Sequence, residues 1–279
     1  MTRGGLLTEA WRVAHDPDEQ DPAVEALVAV ALQGVPEASE AWEAIYALHR
    51  MGGETVFAAA SALLCSRSPH ERARGGDILA QLERPSDVRS RAADRMLPLL
   101  LEEQDAQVLQ SLILGLGHLG DARVPEAIKP FRDHPAPRVR AAVLLSHRRT
   151  SDEEPLPMLL AFADDPDEGV RGQAMAHLRT LPPEVDTPGL RALLVRRMDD
   201  VSPVLRAEAV LLLAYRKDPR ALEPLRKALR RSRVREEFVE AAGALGDPSL
   251  LPALRALEGQ RQDDLPFTRT LAQAIAALV

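Results

Sequence analysis

Few residues in this sequence have the type and spacing that chemistry needs. His70-Glu71 places an imidazole beside a carboxylate at a helix start. A metal centre assembled from such pairs needs several, and His15, His49, His118, His134, His147 and His177 have no Glu directly after them. Cys65 is the single cysteine, so neither an intramolecular disulfide nor a Cys-based metal cluster can form within the chain. It follows the run from Ala58 to Leu64, an alanine-rich helix face on which a thiol packs as a small hydrophobe. A nucleophilic role would also need an adjacent base and an oxyanion site. Gly-rich phosphate loops, zinc-protease helices and serine elbows do not occur. The expectation is a protein that is not an enzyme, with no metal and no cofactor.

Binding is better served. Trp42, Tyr46 and His49 fall at i, i+4 and i+7, on one side of a helix whose core stripe is Ala41, Ala44, Ile45 and Leu48. In a chain with two tryptophans and two tyrosines, this stripe is either a binding hot spot or a packing face under the N-terminal helices, beside Trp11. Arg148 and Arg179 extend the candidate protein-binding set. The equivalent position elsewhere holds Ala80, Gly117, Ala214, Gly243 and Ala276, small residues that leave room for a partner to approach.

A second candidate surface is basic. Residues 216 to 235 hold nine basic and two acidic residues, among them Arg216, Lys217, Arg220, Arg226, Lys227, Arg230 and Arg231. Arg220, Lys227 and Arg231 share one broad helix face, with Arg226 and Arg230 on the adjacent one. This patch suits phosphates, an acidic protein segment or the acidic end of another copy, and it is equally a solvated face partly neutralised by Glu223. Without interleaved aromatics it is not suited to stacking nucleotide bases. Residues 15 to 54 show the opposite bias, nine acidic and one basic, so the chain should be electrically polar although its net charge is −7.

The elements that must position these residues follow from a repeat. A pattern of one apolar or acidic residue, often an arginine, then an alanine-rich apolar run recurs at Glu40, Glu71, Val108, Val139, Val170, Leu205, Val234 and Phe267, with steps of 31, 37, 31, 31, 35, 29 and 33. Counting these residues as position 0, apolar side chains at positions 0, 4 and 8 form a helical stripe. Three residues upstream lie Ser68, Asp105, Asp167, Ser202 and Asp264, all N-cap types, and Pro69, Pro137 and Pro203 sit at the first helical position. A second helix of each pair therefore starts there. The first helices are introduced by turns such as Gly120-Asp121, Asp218-Pro219 and Gly246-Asp247-Pro248. Leu6 to Ala14 and Pro22 to Leu32 read as N-terminal capping helices, and the Pro-rich stretch from Leu181 to Gly189 as a loop insertion. Helix pairs of this length cannot bury an apolar face alone, so they must stack.

The arginines after position 0, Arg72, Arg140, Arg171, Arg206 and Arg235, are read as structural. Acidic residues such as Glu102-Glu103, Asp164-Asp165 and Asp199-Asp200 sit in the preceding turns, and charge-assisted bonds between successive loops are expected.

Composition agrees: 46% hydrophobic and 28% charged residues fit a folded, soluble chain, and 3% aromatics favour Ala, Leu and Val cores over strands. No apolar run is long enough to span a membrane, the first residues carry no signal-like apolar segment, and a cytoplasmic location is expected.

Gly-Asp-Ala-Arg-Val-Pro-Glu-Ala-Ile from Gly120 and Val-Arg-Ala-Ala from Val139 resemble the HEAT-repeat superfamily, within it the short bacterial phycobilisome-lyase-type (E-Z type) HEAT-like repeat. The resemblance covers roughly residues 37–279. It implies an all-α fold, a right-handed α-solenoid of about eight helix pairs, as one domain over 1–279 with capping helices in 1–36. It also implies an Asp–Arg ladder between repeats and second helices that line the inner curve. The His-Glu pairs of the related deoxyhypusine hydroxylases are not matched beyond His70-Glu71, nor is the aromatic and acidic cleft of the HEAT-like alkylpurine DNA glycosylases. The expected function is a scaffold or adaptor for a protein or peptide. The alternatives are nucleic-acid association through 216–235 and a lyase-like or chaperone accessory role.

Overall fold

The computed structural model describes residues 21–33, 39–82, 87–150, 156–259 and 264–279, without the side chains of 148–150. The reading of a helix over Leu6 to Ala14, and any packing of Trp11, lie outside these residues. The chain divides into two compact units, 1–153 and 154–279.

In the first unit the α-helices are α1 (Pro22–Ala31), α2 (Ser39–Met51), α3 (Gly53–Leu64), α4 (Pro69–Leu79), α5 (Val88–Met96), α6 (Leu99–Glu102), α7 (Ala106–Leu119), α8 (Val124–Ile128) and α9 (Pro137–Thr150). They pair as α1 with α2, α3 with α4, α5 and α6 with α7, and α8 with α9. The second unit contains α10 (Leu156–Phe162), α11 (Glu168–Arg179), α12 (Pro188–Arg197), α13 (Pro203–Tyr215), α14 (Leu222–Leu229), α15 (Glu236–Leu245), α16 (Leu251–Arg255) and α17 (Leu265–Ala276), again in consecutive pairs. The described residues thus hold eight helix pairs, and the fold is an all-α solenoid. Pro22–Ala31 packs on α2 as the first helix of the first pair.

Within each unit the second helices stack in sequence order: α2, α4, α7 and α9 in the first, α11, α13, α15 and α17 in the second. The stripe at positions 0, 4 and 8 makes this possible. Val108, Leu112 and Leu116 on α7, and Val170, Ala174 and Leu178 on α11, are all buried. The backbones approach so closely that side chains must be missing. A Cβ on Gly75 would lie 2.8 Å from the Ala60 carbonyl oxygen, one on Gly117 2.9 Å from Ser146 Cα, and one on Gly243 2.8 Å from Ala274 Cα. At position 9, Gly117 and Gly243 therefore admit the neighbouring helix and Ala80 and Ala214 are buried, which corrects for these four the expectation that they leave room for a partner; Ala276 is exposed.

Capping divides by side-chain type. Asp105, Asp167 and Asp264 each accept a hydrogen bond from a first-turn backbone N–H of their helix. Ser68 and Ser202 occupy the same position without a side-chain cap bond, and Pro fills the next position in both helices. At helix ends, Gly120 and Gly246 adopt φ of +69° and +75°, the left-handed geometry that closes a helix cheaply only with glycine. Lys217 stands at the equivalent place in its repeat with φ of +52°.

Candidate functional site

The structure brings three of the five expected protein-binding residues together. On α2 the rings of Trp42 and Tyr46 lie 6.1 Å apart, and those of Tyr46 and His49 6.2 Å apart in an edge arrangement. Their exposures differ, because a helix turns by 100° per residue and only part of this stripe faces outward. Tyr46 is 50% exposed, Trp42 is partly buried and His49 is 6% exposed. His49 Nε2 donates to the Asp77 carbonyl at 3.0 Å, so its ring is a floor under Tyr46 and offers little contact surface of its own.

Sequence reasoning missed the support beneath. Arg74 on α4 is 2% exposed, and its guanidinium carbon sits 5.4 Å from the centre of the Trp42 ring. Its Nη1 donates to Asp77 Oδ2 at 3.3 Å. Burial pushes the Asp77 carboxyl above its ordinary range, with the Ser111 hydroxyl and the Arg74 and His49 charges pulling it down only in part. Arg74 and Ser111 both occupy position 3 of their repeats; the polar character of that row was the available signal. The result is an aromatic step held from behind by a buried ion pair.

Arg179, in the second unit, is not free to meet an acidic ligand. It lies 3.7 Å from Glu208 Oε2 and 3.4 Å from Glu240 Oε2, while the Tyr215 hydroxyl donates to Glu240 Oε1. Burial raises the Tyr215 phenol, and the Glu240 carboxylate adds to it, pushing it up to about 12. Burial likewise raises the Glu208 carboxyl, opposed by Arg179 and reinforced by Glu237 and Glu240. The side chain of Arg148 lies outside the described residues.

The basic patch contracts. Arg216 is 6% exposed and donates from Nε and Nη2 to the Val185 carbonyl at 3.1 and 3.0 Å, anchoring the 180–187 loop. Lys217 Nζ donates to the Ala244 carbonyl near the end of α15. Arg220 pairs with Asp218 at 2.6 Å, and the Asp218 carboxyl is held far below its usual range, chiefly by the Arg220 hydrogen bond. Arg216 is buried and is withdrawn from the expected anion patch, whereas Lys217 and Arg220 are exposed but engaged within the chain. Arg226 bonds Ser249 Oγ at 2.9 Å. Lys227, Arg230 and Arg231 remain exposed.

Of the residues weighed for chemistry, Cys65 is exposed at the end of α3, and His70 Nε2 donates to the Leu32 carbonyl at 3.2 Å. No helix among the described residues is long and apolar enough to cross a membrane.

Stacked helical hairpins, with Arg72–Glu103 and Arg171–Asp200 tying successive repeats, define a repeat-built α-solenoid. The chain belongs to the HEAT-repeat family, whose model matches residues 93–179 and 187–276. Protein YibA of Escherichia coli strain K12 is 34% identical to it over 116 residues, 42% of this chain and 41% of that protein, and Protein YibA of E. coli O157:H7 matches to the same extent. The match thus spans less than half the length of these relatives. The X-ray structure of YibA superposes with a TM-score of 0.75 over 98% of this chain and 97% of its own, at 21% identity, a likeness of fold.

Proposed function

We propose that this chain is a non-enzymatic scaffold that binds a protein or peptide on the exposed face of its second helices, with Trp42 and Tyr46 as anchors. The observation that carries this reading is the half-exposed Tyr46 ring, set between Trp42, which the buried Arg74 backs, and His49, which bonds the Asp77 carbonyl. Binding energy concentrates in aromatic side chains whose conformation is settled before the partner arrives, because little entropy is then lost on association. Arg179 enters the reading as part of a polar cluster with Glu208, Tyr215 and Glu240, and Arg148 by its repeat position alone. Extended surfaces built from repeats suit long contacts with a polypeptide.

The test is quantitative affinity capture from nuclease-treated lysate, comparing the native protein with Trp42→Ala/Tyr46→Ala, whose folding is verified by circular dichroism. A discrete protein retained by the native chain and lost from the folded variant supports the proposal. Equal retention by both removes this surface as the site.

A further inference from the structure

The end of α14 and the connection to α15 gather cations closely in sequence. Lys227, Arg230, Arg231 and Arg233 are exposed, and no hydrogen bond or ion pair engages their side chains among the described residues. Several arginines elsewhere are answered by carboxylates, Arg72 by Glu103, Arg91 by Glu54, Arg171 by Asp200 and Arg191 by Asp186 and Asp218. A chain with 42 acidic and 35 basic residues has carboxylates to spare, yet leaves these four cations within seven residues without one.

We infer that this turn docks on the phosphate backbone of a nucleic-acid duplex. The composition of the turn favours that occupant over an acidic protein segment. A protein interface needs a buried apolar or aromatic anchor, and the exposed large hydrophobic residues are Val30, Tyr46, Met51, Leu101, Val201, Val204, Leu265 and Val279, none of them in this turn. Within the turn, residues 230–233 are Arg, Arg, Ser and Arg, and Val234 is buried. Polyanion binding needs no anchor, because release of condensed counterions supplies the affinity. The turn has no aromatic ring on which a base could stack, so the contact is assigned to the phosphates. It is independent of the aromatic step on α2.

The test is fluorescence anisotropy of the full chain with a labelled random-sequence DNA duplex across a sodium chloride series. The inference predicts binding at low salt that is indifferent to sequence, with a log–log salt slope of about −3.5 for four phosphate contacts. Arg230→Glu/Arg231→Glu should weaken it on the order of tenfold or more and reduce the slope by about 2. Lys227→Gln/Arg233→Gln, a gentler change at equally exposed residues, should weaken it with the same sign. Absent binding at low salt, a flat salt response, or undiminished affinity in the folded variants overturns the inference. So does capture of a labelled polyglutamate peptide but not the duplex, which would assign the turn to an acidic polypeptide.

Discussion

Arg171 and Asp200, separated by 29 residues, join two successive repeats through a buried fork: Nε and Nη2 donate to the two carboxylate oxygens at 2.9 and 3.0 Å. The third nitrogen, Nη1, donates to the carbonyls of Asp165 and Pro166, so one side chain ties its own turn to the next. Arg72 repeats the device with Glu103 and the Ser66 carbonyl, Arg206 keeps the carbonyl half, bonding residues five and six before itself, and Arg140 likewise bonds the carbonyls five and six residues before it. Removing one partner leaves the other charge buried and uncompensated. Asp200→Ala should therefore cost about 3 kcal/mol in urea unfolding. Arg235→Ala, whose arginine is exposed and meets only Glu237, should cost under about 1 kcal/mol.

The carboxylates of the molecule respond to pH with opposite signs. Burial pushes Asp200 up, but hydrogen bonds from Arg171 and the Ser202 N–H, with the Arg171 and Arg197 charges, outweigh it and hold the group low. Its contribution is present above the unfolded pKa of about 3.9 and is lost as pH falls through the folded value. Glu208 is raised by burial, so its contribution is present below the ordinary glutamate range and is lost as pH rises through the folded value. Glu208→Gln should accordingly raise the melting temperature at pH 7 and lose that advantage near pH 4. A constant difference across that range would contradict the assignment.

Glycine substitutions separate two kinds of close packing. Gly243→Ala drives a methyl to 2.8 Å from Ala274 Cα, a backbone atom that cannot swing aside, and should destabilise by about 1–3 kcal/mol. Gly172→Ala, on α11, meets nothing nearer than Leu205 Cδ2 at 3.9 Å and should gain up to about 1 kcal/mol from helix propensity. Thermal melts of the two variants, read together, distinguish packing from propensity.

Much of this fold was legible because its rules are local. Eight position-0 residues mark eight second helices, and the Asp caps and the Arg72 and Arg171 forks follow from repeat spacing. Capping by Ser68 and Ser202 did not follow, since serine takes the position without making the bond there. Charge partners were less legible. Arg179 meets Glu240 from 61 residues away, and Arg216 meets the Val185 carbonyl from 31, distances at which sequence specifies no orientation. The aromatic step was visible as a period on α2, but its support by Arg74 depends on how α4 packs against α2.

The scaffold reading turns on whether a polypeptide meets Tyr46. Its most direct measurement is in-cell crosslinking from a photoreactive phenylalanine analogue placed at position 46, with a second protein carrying the analogue at the exposed Glu126 as reference. The account predicts a discrete protein adduct from position 46 that is absent from position 126 and is reduced by Trp42→Ala. Crosslinks from the two positions that match in pattern and yield would contradict it.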